Sequence, residues 1–237
     1  DNLRFDGKVA IVTGAGGGLG RAYALLLGSL GASVVVNDLG GSAVGSGSDK
    51  RAADVIVNEI VSAGGKAVAN YDSVEDGEKV VETAIKAFGR IDILINGVGG
   101  AISMRPFAAF EPAQIDAEIR RSLMPTLYAC HAVLPAMLEG GGGTIVNLSS
   151  KATRWIRRVP YAAAKGGINA LTQSLAMEYA EHNIRVVATA PGGTDAPPRR
   201  IPRNASGDTE QEKAWMAEAV AQVTQATVFK RYGSIEE

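Results

Sequence analysis

The chain has a single cysteine, Cys130, and two histidines, His131 and His182. One thiol excludes an internal disulfide, and so few ligands exclude a Cys/His zinc site, so no metal is expected. Twenty-four Lys and Arg stand against 25 Asp and Glu, and the net charge of -1 offers no basic field to nucleic acid. No apolar run approaches the ~18 residues that a membrane-crossing helix needs. Neither an apolar signal region nor an Arg- and Ser-rich transit pattern follows Asp1. These absences predict a soluble protein of a reducing cytoplasm. Its expected partner is a small molecule, with no nucleic acid and no membrane.

What the chain does have is apolar residues, 46% of 237, enough for one large core, and α/β domains often reach this length undivided. A single domain over 1–237 is expected. Short β-branched runs at 8–13, 33–38, 66–70, 91–96, 143–149 and 184–189 alternate with longer helix-like segments. Those segments lie at 18–30, 49–63, 74–88, 112–138, 160–182 and 209–224. The run Val9-Ala10-Ile11-Val12 is apolar without alternation, as suits a parallel strand covered on both faces. The pattern predicts an α/β fold: a doubly wound, Rossmann-like parallel sheet with helices on both faces. The Gly- and Ser-rich stretch 40–48 reads as a surface loop. Residues 196–207, with Pro197, Pro198 and Pro202, lead into a short helix, so 196–224 is a candidate substrate lid.

Between the first strand and helix stands Thr13-Gly14-Ala15-Gly16-Gly17-Gly18-Leu19-Gly20. Glycines let a backbone approach a pyrophosphate closely, and the helix N-terminus adds free N–H groups and a favourable dipole. The spacing Gly14-x-x-x-Gly18-x-Gly20 differs from G-x-G-x-x-G, and a plain tight turn is the alternative. Its place after an apolar strand and before a helix favours the nucleotide reading. Asp38 ends the second strand about 20 residues on, where a carboxylate accepts hydrogen bonds from ribose hydroxyls and repels a 2′-phosphate. Neither Gly17 nor Leu39 is basic, so NAD is expected over NADP. Asp38 could also be a simple strand-end turn former.

Tyr161 and Lys165 lie four apart in Val159-Pro160-Tyr161-Ala162-Ala163-Ala164-Lys165. A phenol of ordinary pKa near 10 is a poor base, and bringing it to ~7 takes roughly 4 kcal/mol of preference for the phenolate. An ammonium one helical turn away supplies part of that. Ser150, eleven residues before Tyr161 at the end of the fifth strand, can hydrogen-bond a substrate oxygen, as could its neighbour Ser149. Tyr-x-x-x-Lys alone is common in helices; with the glycine turn and the strand-end serines it becomes a kit for hydride transfer at an alcohol carbon.

These residues resemble the short-chain dehydrogenase/reductase family, marked by T-G-x-x-x-G-x-G, an N-N-A-G-like segment and Ser with Tyr-x-x-x-Lys. The resemblance covers essentially the whole chain. It implies Tyr161 as acid/base, Lys165 as ribose-binding partner and Ser150 as partner of the substrate oxygen. It implies an NAD site built from Gly14, Gly18, Leu19, Gly20, Asp38, Asp72, Ser73, Asn96, Gly97, Tyr161, Lys165, Pro191, Gly192 and Thr194. Three features depart from the family. Ser122 takes the place of a catalytic Asn that holds a relay water. The Ser150 to Tyr161 spacing is two residues shorter than the usual thirteen. The sequence stops at Ser234-Ile235-Glu236-Glu237, where the family continues into a helix and a seventh strand, so those are expected to be lacking. Helices 112–138 and 160–182 resemble the family's four-helix subunit interface, which implies a homotetramer.

Two regions resemble two subfamilies. From Arg4-Phe5-Asp6-Gly7-Lys8 to Asp72-Ser73-Val74 the chain is similar to the (3R)-hydroxyacyl-CoA dehydrogenase domain of peroxisomal multifunctional enzymes. From Arg120-Arg121-Ser122-Leu123 to Arg203-Asn204 it is similar to bacterial dehydrogenases of carboxylated cis-dihydrodiols from benzoate, toluate or cumate breakdown. The second region carries substrate recognition. The resemblance therefore implies NAD-dependent oxidation of such a diol to a catechol, with or without decarboxylation. Arg154, Arg157, Arg158, Arg199, Arg200 and Arg203 suit a carboxylate, which guanidinium groups bind bidentately. They would equally suit the phosphates of an acyl-CoA, and any one of them could be a solvated charge. A (3R)-hydroxyacyl-CoA dehydrogenase is the alternative, and a non-catalytic NAD-binding protein a further one.

Overall fold

The computed structural model describes residues 3–40, 51–196 and 209–235. Six strands, β1 (Val9–Thr13), β2 (Ser33–Asn37), β3 (Lys66–Asn70), β4 (Ile93–Asn96), β5 (Gly143–Leu148) and β6 (Ile184–Thr189), pair in parallel in the order β3-β2-β1-β4-β5-β6. The helices between and after them are α1 (Gly18–Ser29), α2 (Arg51–Ser62), α3 (Gly77–Phe88), α4 (Pro112–Ser122), α5 (Met124–Glu139), α6 (Val159–Tyr179) and α7 (Glu210–Ala226). The expected doubly wound Rossmann-like sheet is present. The expected loop at 40–48 falls, apart from Gly40, outside the described residues, as does the lid segment 197–208.

Period-2 geometry divides β1 between two cores. Ala10 and Val12 pack with Ala24 and Leu27 of α1 and Ala53, Ile56 and Ile60 of α2. Val9 and Ile11 pack on the other face with Val80 and Ala84 of α3 and Ala129, Val133 and Met137 of α5, with Leu175 of α6 against them. Because both faces of β1, β2 and β4 are covered, these central strands read as nearly unbroken apolar runs.

The expected helix 112–138 is two helices. Pro125 has no N–H to give, and its ring would clash with the carbonyl of Arg121, so the chain breaks at Leu123 (φ -117°, ψ -53°) and restarts as α5. The expected helix 74–88 opens with a 3₁₀ turn, Val74–Asp76, capped by Ser73 Oγ, which accepts from Glu75 N. The second strand stops at Asn37, one residue before Asp38.

The C-terminal ends of five strands carry a polar row in register. Asn70 stands beside Asn37, Asn37 beside Thr13, Thr13 beside Asn96 and Asn96 beside Asn147, all buried. Asn37 Nδ2 donates to Asn70 Oδ1 at 2.7 Å, Asn96 Nδ2 to Asn147 Oδ1 at 2.9 Å, and Asn147 Nδ2 to Thr172 Oγ1 of α6 at 3.0 Å. Buried amides are tolerated where they are hydrogen-bonded in this way.

Candidate active site

The strand order reverses direction between β1 and β4, and a crevice opens at the C-terminal ends of such a pair. Here two glycines let the turns after β1 and β4 touch. A Cβ on Gly14 (φ +65°) would lie 3.0 Å from the Gly97 carbonyl carbon, and one on Gly97 would lie 2.4 Å from Thr13 O. A Cβ on Gly20 would lie 2.2 Å from Gly14 O, so the third glycine is what lets α1 pack onto the turn. Gly17 and Gly18 face open space, and the N-cap of α1 is Gly17, which offers no side-chain cap. Uncapped N–H groups at a dipole's positive end, with no side chains in front of them, fit a pyrophosphate.

Asp38 closes the turn. Its Oδ2 accepts from Gly16 N and its Oδ1 from Gly40 N, both at 2.8 Å. It is thus a turn former, and its remaining lone pairs stay available to ribose hydroxyls. Asp72 and Ser73 line the same cleft, though both also serve locally: Asp72 Oδ2 accepts from Asn70 Nδ2, and Ser73 caps the 3₁₀ turn.

The cleft has a volume of about 1490 Å³. Of the residues expected to be functional, Gly14, Gly18, Leu19, Gly20, Asp38, Asp72, Ser73, Gly97, Ser150, Tyr161, Lys165, Pro191, Gly192 and Thr194 line it. Asn96 and Ser122 do not. Asn96 is buried beneath the cleft, where its amide also reaches Cys130 Sγ at 3.3 Å; burial raises that thiol to about 12. Ser122 is fully buried at the break between α4 and α5, and its Oγ accepts from Gly100 N at 3.3 Å. It steadies the loop after β4.

Lys165 is buried, and its Nζ donates to Leu148 O at 2.6 Å and lies 5.7 Å from the Tyr161 ring centroid. Desolvation lowers its pKa from 10.5 to about 8, so at neutral pH it remains mostly the cation. The short Ser150 to Tyr161 connection is made by a 3₁₀ turn, Lys151–Arg154, and by Arg157 in the left-handed region (φ +66°). Neither was legible in the sequence.

Beyond Tyr161 the walls become apolar. Tyr161 packs with Ala101, Met104, Met216 and Ala219. Here α7 closes one side and is tied down by polar contacts: Arg105 to Glu212, Arg157 to Glu218, and Ile156 N to Gln222 Oε1. Sequence reading did not flag Glu118, whose buried Oε1 accepts from Ile102 N and Ser103 N, both at 2.8 Å, and so fixes the loop carrying Met104.

Residues 8–205 match the short chain dehydrogenase family. The chain belongs to that family. It is therefore an oxidoreductase of CH–OH donors that uses a nicotinamide cofactor. It is 48% identical over 237 residues to a 1,6-dihydroxycyclohexa-2,4-diene-1-carboxylate dehydrogenase of Acinetobacter baylyi, covering 99% of this chain and 87% of that one. A protein of the same name from Pseudomonas putida is 45% identical, with coverages of 100% and 84%. A peroxisomal hydratase-dehydrogenase-epimerase of Neurospora crassa is 48% identical over 81% of this chain but only 22% of its own length. Among solved structures, this member of the family superimposes with a TM-score of 0.80 on a 7α-hydroxysteroid dehydrogenase complexed with NADH and 7-oxo glycochenodeoxycholic acid. That pair shares 30% identity over 99% of this chain and 85% of the other.

Proposed function

We propose that the chain oxidises a 1,6-dihydroxycyclohexa-2,4-diene-1-carboxylate, or a ring-substituted analogue, at the secondary carbinol with NAD. The observation that carries this is similarity along nearly the whole length to two enzymes of that name, at 48% and 45% identity. The acyl-CoA alternative finds its similarity in one part of much longer proteins.

Tyr161 takes the hydroxyl proton, Lys165 beside it stabilises the phenolate, and Ser150 donates to the oxygen that becomes the carbonyl. Their common position on the cleft and the Lys165 cation support these roles. NAD, when bound, supplies the hydride acceptor; Asp38 at the adenosine end favours it over NADP. Gly14, Gly18, Leu19, Gly20, Asp72, Ser73, Gly97, Pro191, Gly192 and Thr194 would hold the cofactor, Asn96 would brace them from below, and Ser122 would position the loop after β4. Oxidation at the carbon next to the carboxylate-bearing one gives a β-keto acid. Loss of carbon dioxide from it leaves an enol, which is the catechol, and regained aromaticity drives the sequence forward.

The same reading makes the chain one catalytic domain with 196–224 as substrate lid, most of its described part lying on α7. It also makes the protein a cytoplasmic homotetramer. Exposed Tyr128 and Leu138 on α5 and Met177 on α6 support the association. Among the described residues no helix is long and apolar enough to cross a membrane.

The test is the initial rate of NADH formation on cis-dihydrodiol carboxylates and on a (3R)-hydroxyacyl-CoA. We expect turnover on the diol acid alone, with one carbon dioxide released per NADH. Turnover confined to the acyl-CoA, or catechol appearing without NADH, would overturn the proposal.

A further inference from the structure

We propose that Arg158 binds the substrate carboxylate and so makes the enzyme selective for acid over neutral dihydrodiols. This rests on the substrate reading above and names the residue that would enforce it.

The arginines around the cleft sort by place. Arg105 and Arg157 are ion-paired with Glu212 and Glu218 of α7. Arg154 is exposed and off the cleft wall. Arg120 is exposed at the rim, and Arg121, whose backbone carbonyl backs Gly99, is desolvated by burial and already faces the charges of Asp38 and Glu118. Arg199, Arg200 and Arg203 lie outside the described residues. Arg158 is only 7% exposed yet lines the cleft, and it is the N-cap residue of α6, three residues before Tyr161.

That offset matters. The Arg158 carbonyl accepts the first hydrogen bond of α6, from Ala162 N at 2.8 Å, which holds the residue at the mouth of the helix one turn ahead of Tyr161. A carboxylate on the ring carbon adjacent to the reacting carbinol is a neighbour of the oxygen that Tyr161 deprotonates. The start of α6 therefore brings base and guanidinium to the same cleft wall, as a reacting carbinol with a carboxylate on the adjacent ring carbon requires.

Three further features suit an anion here. The guanidinium carbon lies 5.5 Å from the Trp155 ring centroid, and that stacking orients the planar fork. The N-terminus of the 21-residue α6 adds the positive end of its dipole. Met104 and Met216 pack beside Tyr161, and apolar walls strengthen a bidentate Arg–carboxylate pair once it forms.

The experiment compares kcat/KM for 1,6-dihydroxycyclohexa-2,4-diene-1-carboxylate and for the neutral cis-cyclohexa-3,5-diene-1,2-diol. Wild type, Arg158→Gln, Arg158→Lys and Arg154→Gln are measured, with NADH binding as the check on folding. We expect the acid-to-neutral ratio to fall about 100-fold in Arg158→Gln, mainly through KM, and less in Arg158→Lys. It should stay at the wild-type value in Arg154→Gln. Benzoate should inhibit neutral-diol turnover by wild type and lose its grip on Arg158→Gln. Should Arg158→Gln not fold, a roughly tenfold fall in the Lys variant is the supporting result. Equal loss on both substrates means a structural role and overturns the assignment alone. A wild type that oxidises neither diol overturns the functional reading, and this assignment with it.

Discussion

Ser149 and Ser150, adjacent at the end of β5, commit their hydroxyls differently: Ser149 Oγ donates to Asn169 Oδ1 of α6 at 2.5 Å, whereas Ser150 Oγ accepts from Ala152 N at 3.0 Å. Ser149 is buried, and its hydroxyl proton is spent on α6. Both serines line the cleft, but Ser150 keeps its proton available to a substrate oxygen. Ser150→Ala should lower kcat about 100-fold with little change in thermal stability. Ser149→Ala should cost about 1 kcal/mol of stability with the smaller kinetic effect. Rates and unfolding midpoints of the two variants decide which serine is which, and the reverse pattern would exchange the assignments.

Tyr161→Phe keeps the ring that packs with Met104 and Met216 and removes the proton carrier. Turnover should fall at least ~100-fold while NADH binding persists, as expected for loss of a general base. Unchanged turnover would favour a nucleotide-binding protein over an enzyme.

Lys165 is a cation whose pKa drops on folding, from 10.5 to about 8. Between those values the unfolded chain holds a proton that the folded chain has released. Its contribution to stability is therefore least favourable below pH 8 and improves as pH rises from 8 to 10.5. Relative to Lys165→Met, wild type should gain about 3 kcal/mol across that window, at 1.36 kcal/mol per unit. Denaturant unfolding at pH 7 and pH 10 measures it, and a flat difference would contradict a desolvated ammonium.

At the other end of the cleft, Asp38→Ser removes the charge that opposes a 2′-phosphate and keeps an acceptor for the turn. Arg121, whose cation Asp38 helps to hold, remains nearby. The NAD-to-NADP ratio of kcat/KM should fall about 100-fold, since like-charge juxtaposition costs several kcal/mol. An unchanged ratio would leave Asp38 as turn former alone.

Much of this architecture was legible because strong local signals agree with one another. The runs at 66–70 and 184–189 are the observed strands β3 and β6, and the Tyr161 helix starts within a residue of its expected place. Pro125 was a readable break that the surrounding helical pattern concealed. The left-handed Arg157 and the buried Glu118 left no trace in the sequence, because each answers to a partner distant along the chain: Glu218 and the 102–103 backbone. The same holds for Ser122, whose fully buried hydroxyl is defined by Gly100 N rather than by its place in a motif.

The row Asn70, Asn37, Thr13, Asn96 and Asn147 also bears on how the chain finds its fold. Parallel strands have no hairpin turn to set their alignment, and a slip by one residue sends every side chain to the opposite face. In this sheet a slip of β2 would drive Asn37 among Ala24, Leu27 and Ile56 and strand Asn70 without its hydrogen bond, and a slip of β5 would part Asn147 from Asn96 and Thr172. The asparagines thus act as a vernier: misaligned pairings of otherwise interchangeable apolar strands are penalised, and only the arrangement that brings the glycine turn, Ser150 and Asp38 to one rim is left unpenalised.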